Sequence, residues 1–107
     1  MRQTAVLVVA LGVSGVGALA HADTTELGKD VFIKLSQPSC TVCHTLADAG
    51  SAGVIGPDLD ELKPSRDRVV NAVTQGVGVM PAFEDSLSAE QIQAVADYIV
   101  SVTSTQD

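Results

Sequence analysis

The densest run of reactive side chains is Cys40-Thr41-Val42-Cys43-His44, two thiols two residues apart with an imidazole beside the second. C-x-x-C-H is the spacing of covalent haem attachment. Two intervening residues let both thiols reach the vinyl groups on one side of the macrocycle, and the adjacent imidazole then comes beneath the iron. A thioredoxin-like C-x-x-C needs a βαβ setting, and no strand pattern precedes this one. A structural zinc site takes four Cys or His ligands, whereas residues 23–107 offer three, all within the motif. A disulfide across two residues would leave His44 unexplained. The expected cofactor is therefore one covalent haem c, with Cys40 and Cys43 as attachment points and His44 as an axial metal ligand.

A second axial ligand must come from elsewhere, and the N-terminus narrows the choice. Met1-Arg2 is followed from Ala5 to Ala20 by Ala, Val, Leu, Gly and Ser alone, ending in Ala20-His21-Ala22. A basic start, an apolar run and an A-x-A site read as a secretory signal peptide over residues 1–22, cut after Ala22 or after Ala20. The uncharged run Gln3–Ala20 also approaches the length of a spanning helix, so an uncleaved anchor is the alternative. Gly12, Gly15 and Gly17, falling late in the run, favour the leader. Export implies the periplasm, and it suits a haem attached outside the cytoplasm.

Without the leader, His44 is the single His and Met80 the single Met. Bis-His ligation is then impossible, and Met80 becomes the second metal ligand by elimination. It sits in Gly76-Val77-Gly78-Val79-Met80-Pro81, where glycines allow close backbone approach and Pro81 stiffens the chain. The alternative is Met80 as core filler, with the iron open or lysine-bound.

Composition bounds the rest. A chain of 107 residues allows one domain, here residues 23–107. Six basic residues against 13 acidic ones, net −7, argue against nucleic acid or an anionic membrane surface as partner. Cleavage takes Arg2 and none of the acids. The positive mean hydropathy comes from the leader, so no membrane insertion is expected after processing.

The elements that must position these residues are short helices between glycine-rich loops. Asp23 with Glu26 resembles a capping box, and Leu27, Val31 and Leu35 then form one apolar face ended by Pro38. A second helix is expected over 66–75, opened by Pro64-Ser65, with Val69, Val70 and Val73 apolar and Gly76 as its stop. The third starts at Ser88, with Gln91 completing a capping box, Leu87 stapling onto Ile92, and Ile92, Val95, Ala96 and Ile99 as the buried stripe. Stretches 46–63 and 76–87 read as loops, and no segment alternates well enough for a sheet. The expected class is a small all-α domain, three main helices plus short segments wrapped around one haem. So little secondary structure cannot bury enough surface by itself, so the cofactor should fill the middle.

From about Asp23 to Val102 the chain resembles the class I c-type cytochromes, small monohaem proteins with His/Met iron. Cys40, Cys43 and His44 match the attachment site, and Met80-Pro81-Ala82-Phe83 the distal loop. Gly56-Pro57-Asp58-Leu59 is similar to the family's G-P-x-L loop. The resemblance implies that the Pro57 carbonyl accepts a hydrogen bond from His44 and orients it. Gly28 and Phe32 match the N-terminal helix and Val95 and Tyr98 the C-terminal one, implying a close crossing at Gly28. The chain has no Trp to bind a haem propionate, which leaves Lys63, Arg66 and Arg68 as candidates.

With these ligands committed, the iron has no open position, and no nucleophile–base pair remains. His/Met ligation raises the reduction potential. The expected function is a periplasmic one-electron carrier, not an enzyme, with Thr41, Val42, Val77, Val79 and Ala82 framing an exposed haem edge for transient docking. Its expected partners are redox proteins: a molybdenum-containing dehydrogenase, another cytochrome or a terminal oxidase. Leu27–Phe32, Cys40–Leu46, Leu59–Pro64 and Gly76–Pro81 also resemble the small haem subunits of bacterial sulfite dehydrogenases, which pair with a molybdenum protein. A subunit of such an oxidoreductase is thus the alternative, and a ligand-binding sensor with labile Met80 a third reading.

Overall fold

The computed structural model describes residues 5–12 and 19–104. The expected signal peptide falls partly outside them: residues 1–4 and 13–18 are not described, 5–12 form an exposed segment without regular structure, and 19–22 open the first helix. Among the described residues there are four α-helices, α1 (Leu19–Asp30), α2 (Leu59–Leu62), α3 (Arg66–Gln75) and α4 (Ala89–Thr103).

Helix α1 runs through Asp23, where a cap was expected. With residues 19–22 present, their carbonyls accept from the amides of 23–26, so no side chain is needed there. The helix then widens into a π-turn, Val31–Leu35, closed by the Ser36 N–H donating to the Val31 carbonyl at 3.1 Å. A wider turn advances less per residue. Val31 and Phe32 are both fully buried, while Leu35, expected on the same face as Val31 but beyond the wider turn, is 44% exposed.

The other two expected helices begin and end where their local signals lie. Ser65 Oγ accepts from the Arg68 N–H at 3.2 Å, and α3 stops at Gly76, φ +74°. At α4 the Ser88 side chain accepts from the Gln91 N–H (3.1 Å) and Gln91 Oε1 accepts from the Ser88 N–H (2.8 Å). Leu87 and Ile92 are buried in one cluster, as a staple requires.

The loop expected over 46–63 holds more structure than its composition suggests. Strands β1 (Thr45–Leu46) and β2 (Ser51–Ala52) pair antiparallel, Thr45 opposite Ala52 and Leu46 opposite Ser51. The purely all-α expectation is corrected to that extent, because a two-residue strand is too short to alternate visibly. Helix α2 follows, capped by Asp58 Oδ1, which accepts from the amides of Asp60 and Glu61.

The main packing contact is the crossing of α1 and α4. A Cβ added at Gly28 would lie 2.2 Å from the Ala94 carbonyl oxygen and 2.5 Å from Tyr98 Cβ, so the helices meet backbone to backbone. Phe32 and Tyr98 pack edge to face, ring centroids 6.3 Å apart. The Tyr98 hydroxyl donates to Asp48 Oδ2 at 2.6 Å, tying α4 to the turn between the strands, and Lys29 Nζ lies 3.4 Å from the same oxygen. Arg66 joins α3 to α4 through Asp97 (2.6 Å) and Gln93.

Candidate cofactor site

The C-x-x-C-H segment follows the π-turn as a 3₁₀ turn, Cys40–Val42. Ser39 Oγ sits 3.1 and 2.8 Å from the carbonyls of Phe32 and Ile33 and accepts from the Thr41 N–H at 3.3 Å. The amides of Cys43 and His44 both donate to the Cys40 carbonyl, at 3.3 and 3.0 Å. Both thiols and the imidazole are thus held on one compact turn. Ser51 Oγ, from β2, anchors that turn by donating to the His44 carbonyl at 2.5 Å. The strand pair is therefore part of the site's scaffold.

His44 is oriented from the far side of the loop. Its Nδ1 lies 2.8 Å from the Pro57 carbonyl oxygen. A carbonyl only accepts, so the proton is on Nδ1 and the Nε2 lone pair is left for a metal. The Gly56 N–H donates to the Cys43 carbonyl at 2.7 Å, holding the loop close. A Cβ at Gly56 would stand 2.7 Å from His44 Cε1 and 3.0 Å from Nδ1, so the ring occupies the space a side chain would fill. Burial pushes the Cys40 thiol pKa up, partly opposed by the Ser36 hydroxyl at 3.4 Å. The thiol is therefore neutral near pH 7.

Met80 lies in a tight turn. The Val77 N–H donates to the Met80 carbonyl at 3.1 Å and the Met80 N–H to the Val77 carbonyl at 2.9 Å. The Phe83 N–H donates to the Val73 carbonyl at 2.8 Å, returning the chain to α3.

Cys40, Cys43, His44, Pro57 and Met80 all line one cavity of about 770 Å³. Such a volume is that of a cofactor site. Phe32, Leu59, Val69, Val73, Phe83, Val95 and Ile99 belong both to its wall and to the buried core. The core is thus the wall of a chamber. Its lining is mainly apolar, with two thiols, an imidazole with a free nitrogen and a thioether as donors. Those residues fit a haem.

The three candidate propionate partners separate. Arg68 lines the cavity, whereas Lys63 and Arg66 do not, and the Arg66 guanidinium is engaged with Asp97 and Gln93 on α4. Of the residues expected to frame the cavity mouth, Val77 and Val79 line it and are 64% and 90% exposed. Val42 and Ala82 are exposed but off the lining, and Thr41 is half-buried with Oγ1 2.8 Å from Ser39 Oγ. Ile55, not singled out from the sequence, is on the lining and 66% exposed, beside exposed Val54. Two adjacent apolar residues between Gly53 and Gly56 were the available signal.

Among the described residues no helix is long and apolar enough to cross a membrane. Residues 23–99 match the family described as cytochrome C oxidase, cbb3-type, subunit III. The chain is 51% identical over 39 residues to cytochrome c6 of Microcystis aeruginosa, a match spanning 36% of this chain and 48% of that protein. It is 33% identical over 90 residues to cytochrome c6 of Rippkaea orientalis, covering 77% of this chain and 74% of that one. Among solved structures, the c-type cytochrome SorU from Sinorhizobium meliloti is similar at 51% identity and a TM-score of 0.74, over 77% of this chain and 93% of that one.

Proposed function

The chain belongs to the c-type cytochrome family, and on that premise we propose that it is a periplasmic one-electron carrier whose iron is bound by His44 and Met80. It is an electron-transfer protein and carries a covalently attached c-type haem, which when bound supplies a one-electron couple. The observation that carries the ligand assignment is the convergence of Cys40, Cys43, His44 and Met80 on one largely apolar cavity, with the His44 Nδ1 proton held by Pro57.

Each residue has a separate task. Cys40 and Cys43 would form the thioether tethers, holding the cofactor to the 3₁₀ turn that carries them. His44 offers Nε2, and the Pro57 carbonyl keeps the ring in one tautomer and orientation and makes it a stronger donor. Met80 offers a thioether, a weaker donor to ferric iron than imidazole, which raises the potential. The apolar chamber wall, with Phe32, Leu59, Phe83 and Ile99, would give the cofactor low-dielectric surroundings that favour the less charged, reduced state. Arg68 is the cation placed to meet a propionate. Exposed Val77 and Val79, joined by Ile55, form an apolar rim suited to brief docking of redox partners. The acidic surface selects basic or neutral partners and makes association salt-dependent.

The reading of residues 1–22 as a removed leader supports the periplasmic location, leaving residues 23–107 as the working domain. A second reading, the haem subunit of a larger oxidoreductase such as a sulfite dehydrogenase with a molybdenum protein, is supported by the four matching stretches from Leu27 to Pro81. Co-purification from the native periplasm distinguishes it from a free carrier.

The ferric protein should show the weak near-infrared band of methionine sulfur on iron. Met80→Ala should remove the band, lower the potential and admit carbon monoxide to the reduced protein, while Met80→His lowers the potential without admitting it. A band that survives Met80→Ala overturns the ligand assignment, and rapid carbon monoxide binding by the unmodified protein would favour a sensor.

A further inference from the structure

Two glycines flank the turn that carries Met80, and their surroundings differ. Gly76 has φ +74° and ψ 163°, a region reached essentially by glycine alone. A Cβ there would stand 2.7 Å from the Met80 carbonyl oxygen, 2.9 Å from the Ala82 nitrogen and 3.0 Å from the Pro81 carbonyl carbon. All three are backbone atoms of the segment that presents Met80, so no side-chain rotation relieves the conflict. Gly78, at φ +56°, has nothing within 4 Å of its would-be Cβ. Positive φ strains a side chain at either position, and only at Gly76 is a collision added to that strain.

The 76–83 segment is pinned at both ends to the last turn of α3. The Gly76 N–H donates to the Ala72 carbonyl and the Phe83 N–H to the Val73 carbonyl, each at 2.8 Å. Between those points, the Met80 carbonyl that the Gly76 Cβ would strike also accepts from the Val77 N–H at 3.1 Å. The loop therefore closes directly onto the bare Cα of residue 76.

We propose that Gly76 is a positioning residue for Met80: its missing side chain lets residues 80–82 seat against the end of α3 and so holds the thioether in the cavity. The inference rests on Met80 being the sulfur ligand. It predicts that the two glycines are not equivalent, although both have positive φ.

The test compares the holoproteins Gly76→Ala and Gly78→Asn with the wild type, with both thioether bonds verified by intact mass. Gly76→Ala should lose most of the near-infrared band. Its reduced form should take up carbon monoxide at least about tenfold faster, a factor corresponding to about 1.4 kcal/mol. Gly78→Asn carries the positive-φ strain without the collision and should change band and rate far less than Gly76→Ala does. A Gly76→Ala protein that keeps both refutes the inference, as does a Gly78→Asn protein that loses both equally. A wild type with no band removes the Met80 assignment itself, a separable outcome. Should Gly76→Ala not accumulate, wild-type amide exchange decides. Val77, Met80 and Phe83 amides should be protected like the end of α3, and free exchange at all three overturns the clamp.

Discussion

Gly28→Ala tests the helix crossing on which the chamber is built. Its Cβ would lie 2.2 Å from the Ala94 carbonyl oxygen, where ordinary contact begins at 3.4 Å, so the helices must part by about 1 Å. The obstructing atoms are α4 backbone and the first carbon of Tyr98, neither of which can rotate away. Overpacking of this kind costs about 1–3 kcal/mol, and the rigid neighbours place this case near the upper figure. Alanine in place of glycine within a helix returns about 1 kcal/mol, leaving a net loss of about 2 kcal/mol. For a domain of this size that lowers Tm by about 8–16 °C. Thermal unfolding of the holoprotein, followed by far-ultraviolet circular dichroism, measures it. Phe32 rides on the same chain segment and lines the cavity, so the haem absorption should melt together with the helices. A Tm unchanged or raised would mean the crossing is not close-packed at residue 28, and the reasoning would fail.

Gly56→Ala should tilt His44 away from Pro57 while leaving both thioether bonds intact; losing a hydrogen bond of about 1 kcal/mol corresponds to a rise in potential of up to about 40 mV for one electron. An unaltered redox titration would refute the orienting role. Replacing Cys40 and Cys43 together by Ala should abolish the haem spectrum and stable folding, because the core is the chamber wall; a well-folded helical apoprotein would contradict this. The hydrogen bond from Tyr98, with Lys29 nearby, holds the Asp48 carboxyl below its usual range, so this stabilisation is present above about pH 4 and lost as pH falls through the native value. Burial and Asp48 push the Tyr98 hydroxyl pKa well up, so unfolding gains driving force as pH rises past about 10. Tyr98→Phe should be less stable at neutral pH and flatter at both extremes, as measured by denaturant midpoints across pH.

What the sequence determined by itself was local. The C-x-x-C-H spacing, the Ser65 and Ser88 caps, the Gly76 stop and the α4 stripe are each decided by atoms within about one helical turn. Types and spacings therefore sufficed to place α3 and α4 and to name the two thiols and His44. Met80 emerged by elimination, a matter of counting, and Pro57 and Gly28 only through likeness to a family. The tertiary structure decided what depends on distant partners. Arg66 is drawn to Asp97, 31 residues away, leaving Arg68 on the cavity. Asp48 meets Tyr98 across 50 residues, and Ser51 reaches His44 only because two very short strands pair. The π-turn after Asp30 left Leu35 outside the face that Val31 buries, because one wider turn resets the helical phase. Gly76 and Gly78 look alike in sequence, and only the returning loop, which passes within contact of one and not the other, separates their tasks.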